Sequence, residues 1–338
     1  MLEGPGRILE GDDDQVRRSY DAWGAQPVDE EIARDPAASA FSPRQTTLGG
    51  YVSISGPGTY FRRAQRRLVF DPCDRHGWWF DREDLPESLR IRVSVNNVWT
   101  TIRSIVLCSG SPHNYMRMVE HIIALKVGLG LDNLTVRLQS GDPPLFDRGS
   151  LDLVEAAEDA GIVELPAAAH YLRVKEPVTI GGPHGSFLTL LPPEDGARDL
   201  FVDCAVDFRT AIGRQRIRFP VNRDTFRRGA FARTNASLSL VLYIKTIGLL
   251  FADTRNMGYT MRNILVAGPW RYLNRPRMLH NGKSLEAVWH RAALDLLAGI
   301  ALIDRGRLAG TVISYKAGHA LDVKMVAELY KRGLLEYM

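Results

Sequence analysis

Residues 116–127, MRMVEHIIALKV, constrain the fold more than any other stretch of the chain. Met118, Val119, Ile122, Ile123 and Leu125 recur at helical spacing and predict a helix with a buried face. Gly128 and Gly130 then stop it, as C-terminal glycines do. Inside this apolar helix sit two adjacent ionisable residues, Glu120 and His121. Burying such a pair is costly unless it is partnered or bound to a metal. Neighbouring helical side chains point about 100° apart. His121 can therefore hold a metal while Glu120 reaches a water bound beside it, and Glu is a common general base for that water. A plain Glu-His pair at a helix surface is the alternative, and the dipeptide alone favours it.

The surroundings alternate strands with helices. RRLVFDP, LRIRVSV, LDNLTVRLQ, YLRVKEPVTI, SFLTLLP, DLFVDCAVDF, NILVAG and LAGTVISYKAG read as strands. TTLGGYVSISGPGTY reads as a strand ending in a Gly-Pro-Gly turn. SLDLVEAAEDAGIV is a helix capped by Ser150, a long helical stretch follows FARTNASL, and SLEAVWHRAALDLLAGIALID and ALDVKMVAELYKRG are further helices. A chain of 338 residues with 45% hydrophobic content suits one or two domains, and two are expected. The reading is an α+β pattern repeated twice, without a direct sequence repeat. Residues 1–43 are expected as a tail, flexible or draped over the body and partly helical near residues 16–23. Residues 44–166 form a first α+β block and 167–338 a second, with ELPAAA as the linker.

Charge narrows the partners. The net charge is +4 and the arginine pairs (Arg17-Arg18, Arg62-Arg63, Arg66-Arg67, Arg227-Arg228) are scattered, without the basic stripe of a nucleic-acid binder. A nucleic-acid or protein-binding role ranks last, because it leaves the ordered motifs unexplained. A mildly positive field favours an anionic small molecule such as a diphosphate. Cys73, Cys108 and Cys204 show no CxxC spacing, so neither a disulfide framework nor a thiolate zinc site is indicated, and a reducing cytoplasm fits. No apolar secretory segment opens the sequence. The apolar stretch 238–252 is too short and too polar to span a bilayer.

Three further constellations carry chemistry. His290 and Asp295 lie on one predicted helix and could share a zinc ion. Their spacing is five, which leaves about 140° between side chains in a regular helix, so Asp295 joins His290 only across a π-bulge or a late helix start. Glu286, four residues before His290, is a rival partner. His319, in Lys316-Ala317-Gly318-His319 at a strand end, could protonate a leaving amine or simply occupy a turn. Thr234, in Ala232-Arg233-Thr234, could steady an oxyanion, although alone it says little.

In their order, MVEHIIALKVGLGLDNLTV, PLFDRGS, LRVKEPV, FARTNASL, NILVAGPWRYLN, SLEAVWHRAALDLL and SYKAGHALDVKMVAEL resemble the UDP-3-O-acyl-N-acetylglucosamine deacetylase family. The resemblance covers residues 44–335, nearly everything outside the tail. It implies two similar α+β domains, each a sheet packed on a pair of helices, with the active site between them. It implies zinc held by His121, His290 and Asp295, with Glu120 as general base, His319 as catalytic histidine and Thr234 as oxyanion hydroxyl. Arg291, Lys316 and Asn263 fall at substrate-binding positions. The implied reaction removes an N-acetyl group from an amino sugar, nucleotide-linked or glycosidic. The chain also departs from the family. Its His-to-Asp spacing is five rather than four, and Arg291 replaces a lysine. An acid is missing near Gly299 and Ile300, and Arg148 is an extra residue. Gly58-Thr59-Tyr60 lacks the family histidine, and Gly258-Tyr259-Thr260 replaces a Gly-Gly-Ser turn. These changes imply a substrate other than the usual lipid A precursor. The alternative is a repurposed member that has lost or altered the zinc site and binds a sugar nucleotide or catalyses another reaction there.

Overall fold

The computed structural model describes residues 4–34, 41–60, 64–194, 196–245 and 258–338. The fold is α+β. A five-stranded mixed sheet runs in the order Val52–Pro57, Gln65–Pro72, Leu134–Leu138, Trp78–Arg82, Ile91–Arg92. A seven-stranded sheet runs Arg7–Glu10, Val178–Gly181, Phe187–Leu191, Gly310–Tyr315, Leu200–Asp207, Arg214–Pro220, Glu30–Glu31. The helices are α1 (Asp13–Gly24), α2 (Glu120–Gly128), α3 (Leu151–Asp159), α4 (Arg223–Ala230), α5 (Leu238–Lys245), α6 (Glu286–His290), α7 (Leu297–Ala301) and α8 (His319–Lys331). A π-helical turn, Arg291–Leu296, joins α6 to α7 without a break.

Helix α2 packs against the π turn and α7, and also touches α4. One apolar core runs from Leu68 and Phe70 of the first sheet through Ile123 and Leu296 to Val202 and Val312 of the second. Contact within it is close enough to dictate residue size. A Cβ on Gly128 would fall 2.0 Å from the Phe226 ring, so only glycine lets α4 approach α2 here.

Several expectations need correction. The N-terminal segment supplies both outer strands of the seven-stranded sheet, paired parallel to Val178–Gly181 at one side and Arg214–Pro220 at the other. Between them, Asp12 caps α1 by accepting from the Gln15 N–H at 2.7 Å. Trp23 is buried under the Arg216 guanidinium, 4.1 Å from its ring centre, and Arg216 pairs with Asp203 at 2.8 Å. A charged, periodicity-poor sequence hid these strands because each is short and sits at an edge. ELPAA of ELPAAA belongs to a strand, Ile162–Ala168, that pairs antiparallel with Arg44–Leu48. Met116 ends a strand, Ser111–Met116, and α2 starts only at Glu120. LRIRVSV keeps just Ile91–Arg92 in a strand. The long helical stretch after FARTNASL is described as α5, and its continuation lies outside the described residues. Among the described residues, no helix is long and apolar enough to cross a membrane.

Candidate active site

Helix α2 begins at the site. Met118, just before it, holds a left-handed φ of 54°, which is unusual for a side chain of this size and turns the chain into the helix. Glu120 is 2% exposed. Its Oε1 accepts from the Ile105 backbone N–H and lies 3.5 Å from His319 Nε2. Its Oε2 is buried with no hydrogen-bond partner among the described residues. His121 faces another way. The Ser150 hydroxyl sits 2.9 Å from the His121 carbonyl and 3.3 Å from its Nδ1. A hydroxyl has one hydrogen, and the shorter contact claims it. Ser150 Oγ therefore accepts from Nδ1–H, which leaves Nε2 with a free lone pair. Ser150 was expected as a helix cap. Its side chain makes no cap bond and orients His121 instead, a role nothing in the local sequence announces.

The second region answers from the other side. The π turn brings Asp295 back over His290, with Oδ2 3.5 Å from Nδ1. In an i→i+5 turn, residues five apart lie nearly above one another, so the spacing that fails in a regular helix succeeds here. Asp295 Oδ1 is 3.6 Å from Nε2 of His319, which opens α8 directly after Gly318. Thr234 Oγ1 stands between the two remaining imidazole nitrogens, 2.8 Å from His290 Nε2 and 3.5 Å from His121 Nε2. Thr234 starts the strand Thr234–Ser237, which pairs parallel with Ile264–Ala267. Glu286 anchors it. Fully buried, it binds the Arg233 side chain at 2.6 Å and the Arg233 N–H at 3.1 Å, so it is not the partner of His290.

The fields are strong because burial is deep. Burial, with help from His290, pushes the His121 imidazole down to about 3, so it is neutral. Burial also raises Glu120, opposed by the nearby His319. Asp295 would be raised by burial, but His290 and His319 overcome that and hold it below the ordinary carboxylate range. His319 is lifted above its usual value, because Asp295 and Glu120 outweigh its own burial.

Two buried imidazoles, that of His121 held neutral by burial, and an ionised carboxylate in one cluster form a donor set suited to hydrolytic zinc. The buried, unpartnered Glu120 oxygen is what a base awaiting a water would show. The chemistry of the residues therefore fits a zinc ion. As they stand, no three His, Cys, Asp or Glu side chains among the described residues close to metal-binding distances. Asp295 lies on the Nδ1 side of His290, whereas the two Nε2 atoms face Thr234.

Two residues expected to contact substrate are engaged elsewhere. Arg291 is buried and makes a bidentate pair with Asp322 of α8 at 2.5 and 2.7 Å, with a third bond to Ser314 at 3.2 Å. A Cβ on Gly299 would fall 2.6 Å from Asp322 Cβ. Asp322 thus packs against the part of the helix where the expected acid is missing, and brings a carboxylate there from another element. The Asn263 amide donates to the Gly258 carbonyl at 3.0 Å and accepts from the Thr260 N–H at 2.7 Å, which closes its own turn. Lys316 is exposed, with a left-handed φ of 54° at the strand end, and its ammonium lies over the Tyr315 ring at 5.5 Å. At the cleft, the Gly258 N–H binds the Thr59 carbonyl at 2.5 Å, which brings the Tyr60 and Tyr259 turns together. Burial raises both phenols, and Glu120 adds to each effect.

Residues 45–331 match the family described as UDP-3-O-acyl N-acetylglycosamine deacetylase. The chain belongs to this family. Its members are metal-dependent deacetylases that act on an amide bond. Relatives named UDP-3-O-acyl-N-acetylglucosamine deacetylase occur in Brucella ovis, Brucella abortus and Brucella melitensis. Each is 29% identical to this chain over 298 residues, covering 84% of this chain and 94% of the relative.

Proposed function

We propose that this deacetylase removes the acetyl group from an N-acetylated amino sugar, nucleotide-linked as in its named relatives, and that it works in the cytoplasm. The observation that carries the reading is Glu120 Oε2, a buried oxygen with no hydrogen-bond partner among the described residues, on a carboxylate whose Oε1 lies 3.5 Å from His319 Nε2.

His121, His290 and Asp295 would hold zinc. When bound, zinc supplies a Lewis acid for the acetyl carbonyl and lowers the pKa of a water. Glu120 takes the proton of the attacking water at Oε2, while the Ile105 N–H keeps Oε1 fixed. The Thr234 hydroxyl turns toward the oxygen that gains charge as the carbonyl becomes tetrahedral. His319, whose pKa Asp295 and Glu120 lift against the effect of burial, delivers a proton from Nε2 to the departing amine. Acetate and the free amino sugar leave. The Tyr60 and Tyr259 turns at the cleft support a sugar substrate that differs from that of the named relatives.

The test is acetate release from UDP-N-acetylglucosamine and from its 3-O-acylated form, with metal content measured on the same protein. Glu120→Gln keeps size and burial but not basicity, so kcat should fall about a thousandfold with zinc retained. Turnover within tenfold of the parent would remove Glu120 from the base role. A metal-free protein, inert on both substrates with zinc added, would overturn the whole reading.

A further inference from the structure

One surface is unexplained by the reaction. From residue 258 to 285 the chain contains four arginines and one lysine and not one Asp or Glu. The middle of this stretch folds back on itself. Ile264–Ala267 forms a strand, a turn carries Trp270 and Arg271, and the chain returns with the Leu273 N–H on the Val266 carbonyl at 2.9 Å. On the returning limb, Arg271, Leu273 and Arg275 are exposed, while Tyr272, Asn274 and Pro276 between them are half-buried. That alternation sets Arg, Leu and Arg on one outward face. The other limb contributes Met261 and Arg262, tied in by Asn274 Nδ2 on the Met261 carbonyl at 2.8 Å and by the Arg277 guanidinium on the Arg262 carbonyl at 2.7 Å.

Trp270 stands out at the turn, 92% exposed, on a chain that buries Trp23, Trp78 and Trp289 almost completely. Among the described residues, Arg262, Arg271 and Arg275 have no carboxylate within ion-pair distance. The arginines elsewhere in this protein commonly do: Arg82, Arg148, Arg173, Arg227 and Arg307 each pair at 2.9 Å or less. An indole at a tip, aliphatic side chains beside it and unpaired cations around it match the interface of an anionic bilayer. There the indole settles at headgroup depth, and each arginine near the surface adds attraction.

We infer that the ribbon of residues 261–275 docks the protein on the surface of a membrane rich in anionic phospholipid, with Trp270 as the inserted residue. The ribbon includes the strand that pairs with Thr234–Ser237, so a docked molecule holds its cleft next to the lipid. This inference does not depend on the proposed reaction.

The test is co-sedimentation of the full chain with vesicles of phosphatidylcholine alone, or of phosphatidylcholine mixed with phosphatidylglycerol. Binding is expected only to the mixed vesicles, and it should weaken as salt rises. Trp270→Ala and the double variant Arg271→Ala, Arg275→Ala should each lower partitioning about tenfold or more. Both sites are exposed, so these variants should keep the parent's unfolding temperature and its turnover of soluble substrate. Equal binding to neutral vesicles, no binding to either kind, or full binding by Trp270→Ala would overturn the inference. So would duplex DNA or polyglutamate competing as well as anionic vesicles, which would make the patch a general polyelectrolyte site.

Discussion

Helix α2 and the run from α6 through the π turn to α7 do the same job by opposite means. Each places two ionisable residues at one cleft. In α2 the residues are neighbours, and a regular helix splays them apart. Glu120 turns to Ile105 and His319, and His121 turns to Ser150 and Thr234. Nothing beyond ordinary packing is required. In the second helix the two residues must share a face, and a spacing of five forbids that without one wide turn. Such a turn is locally less favourable than the helix on either side of it. It is held where it begins, by Arg291 clamped on Asp322. The first arrangement needs only regular helix geometry at two adjacent positions. The second depends on an ion pair between elements, and its failure would move a ligand.

The sharpest way to break this contrast is Asp322→Ala. Asp322 is 1% exposed and both of its oxygens are bound by Arg291, so removing it strands a buried guanidinium. A loss of about 3–5 kcal/mol in unfolding free energy is expected by denaturant titration. Arg291→Lys keeps the charge but not the two-pronged geometry, and should lose less. A loss below about 1 kcal/mol for Asp322→Ala would mean that the π turn holds itself. The next effect concerns register. The double variant Leu294→Asp, Asp295→Leu restores a spacing of four. In a regular helix the relocated carboxylate would face His290, but in this structure position 294 is fully buried in the apolar core, so a carboxylate there is drawn away from the cleft. The exchanged protein should bind zinc as poorly as Asp295→Ala, about a hundredfold or more below the parent in a chelator competition. Parent-like affinity would show that the turn had relaxed to α geometry.

The same contrast explains what the sequence could reveal. The helix at Glu120 and His121, its glycine stop and most long strands follow from periodicity, which is local. The spacing of His290 and Asp295 carried its own condition, a π-bulge, and the structure has one at that point. What stayed hidden depends on distant partners. Arg291 looks like a surface or substrate residue until Asp322 arrives from α8, thirty-one positions away. Asn263 looks available until its amide closes its own turn. Ser150 has the right type for a cap, and only the tertiary fold brings its hydroxyl to His121, twenty-nine positions away. The two-residue strand Glu30–Glu31 is too short to show any alternation.

The smallest expected effect separates the two regions by pH. Glu120 must be ionised to accept a proton, so activity should rise with pH through its pKa, which burial places above the ordinary carboxylate value. His319 must be protonated to donate, so activity should fall as pH rises through its pKa, which Asp295 and Glu120 lift against the effect of burial. The acid limb of a kcat/KM profile then reports the α2 side and the alkaline limb the α8 side, as macroscopic values of a coupled pair. His319→Gln should flatten the alkaline limb. It should also move the acid limb upward, because the His319 charge lowers the Glu120 pKa and its Nε2 sits 3.5 Å from Oε1. An acid limb that stays in place while the alkaline limb vanishes would show that the regions titrate independently, with Glu120 tuned by its burial and the Ile105 N–H alone.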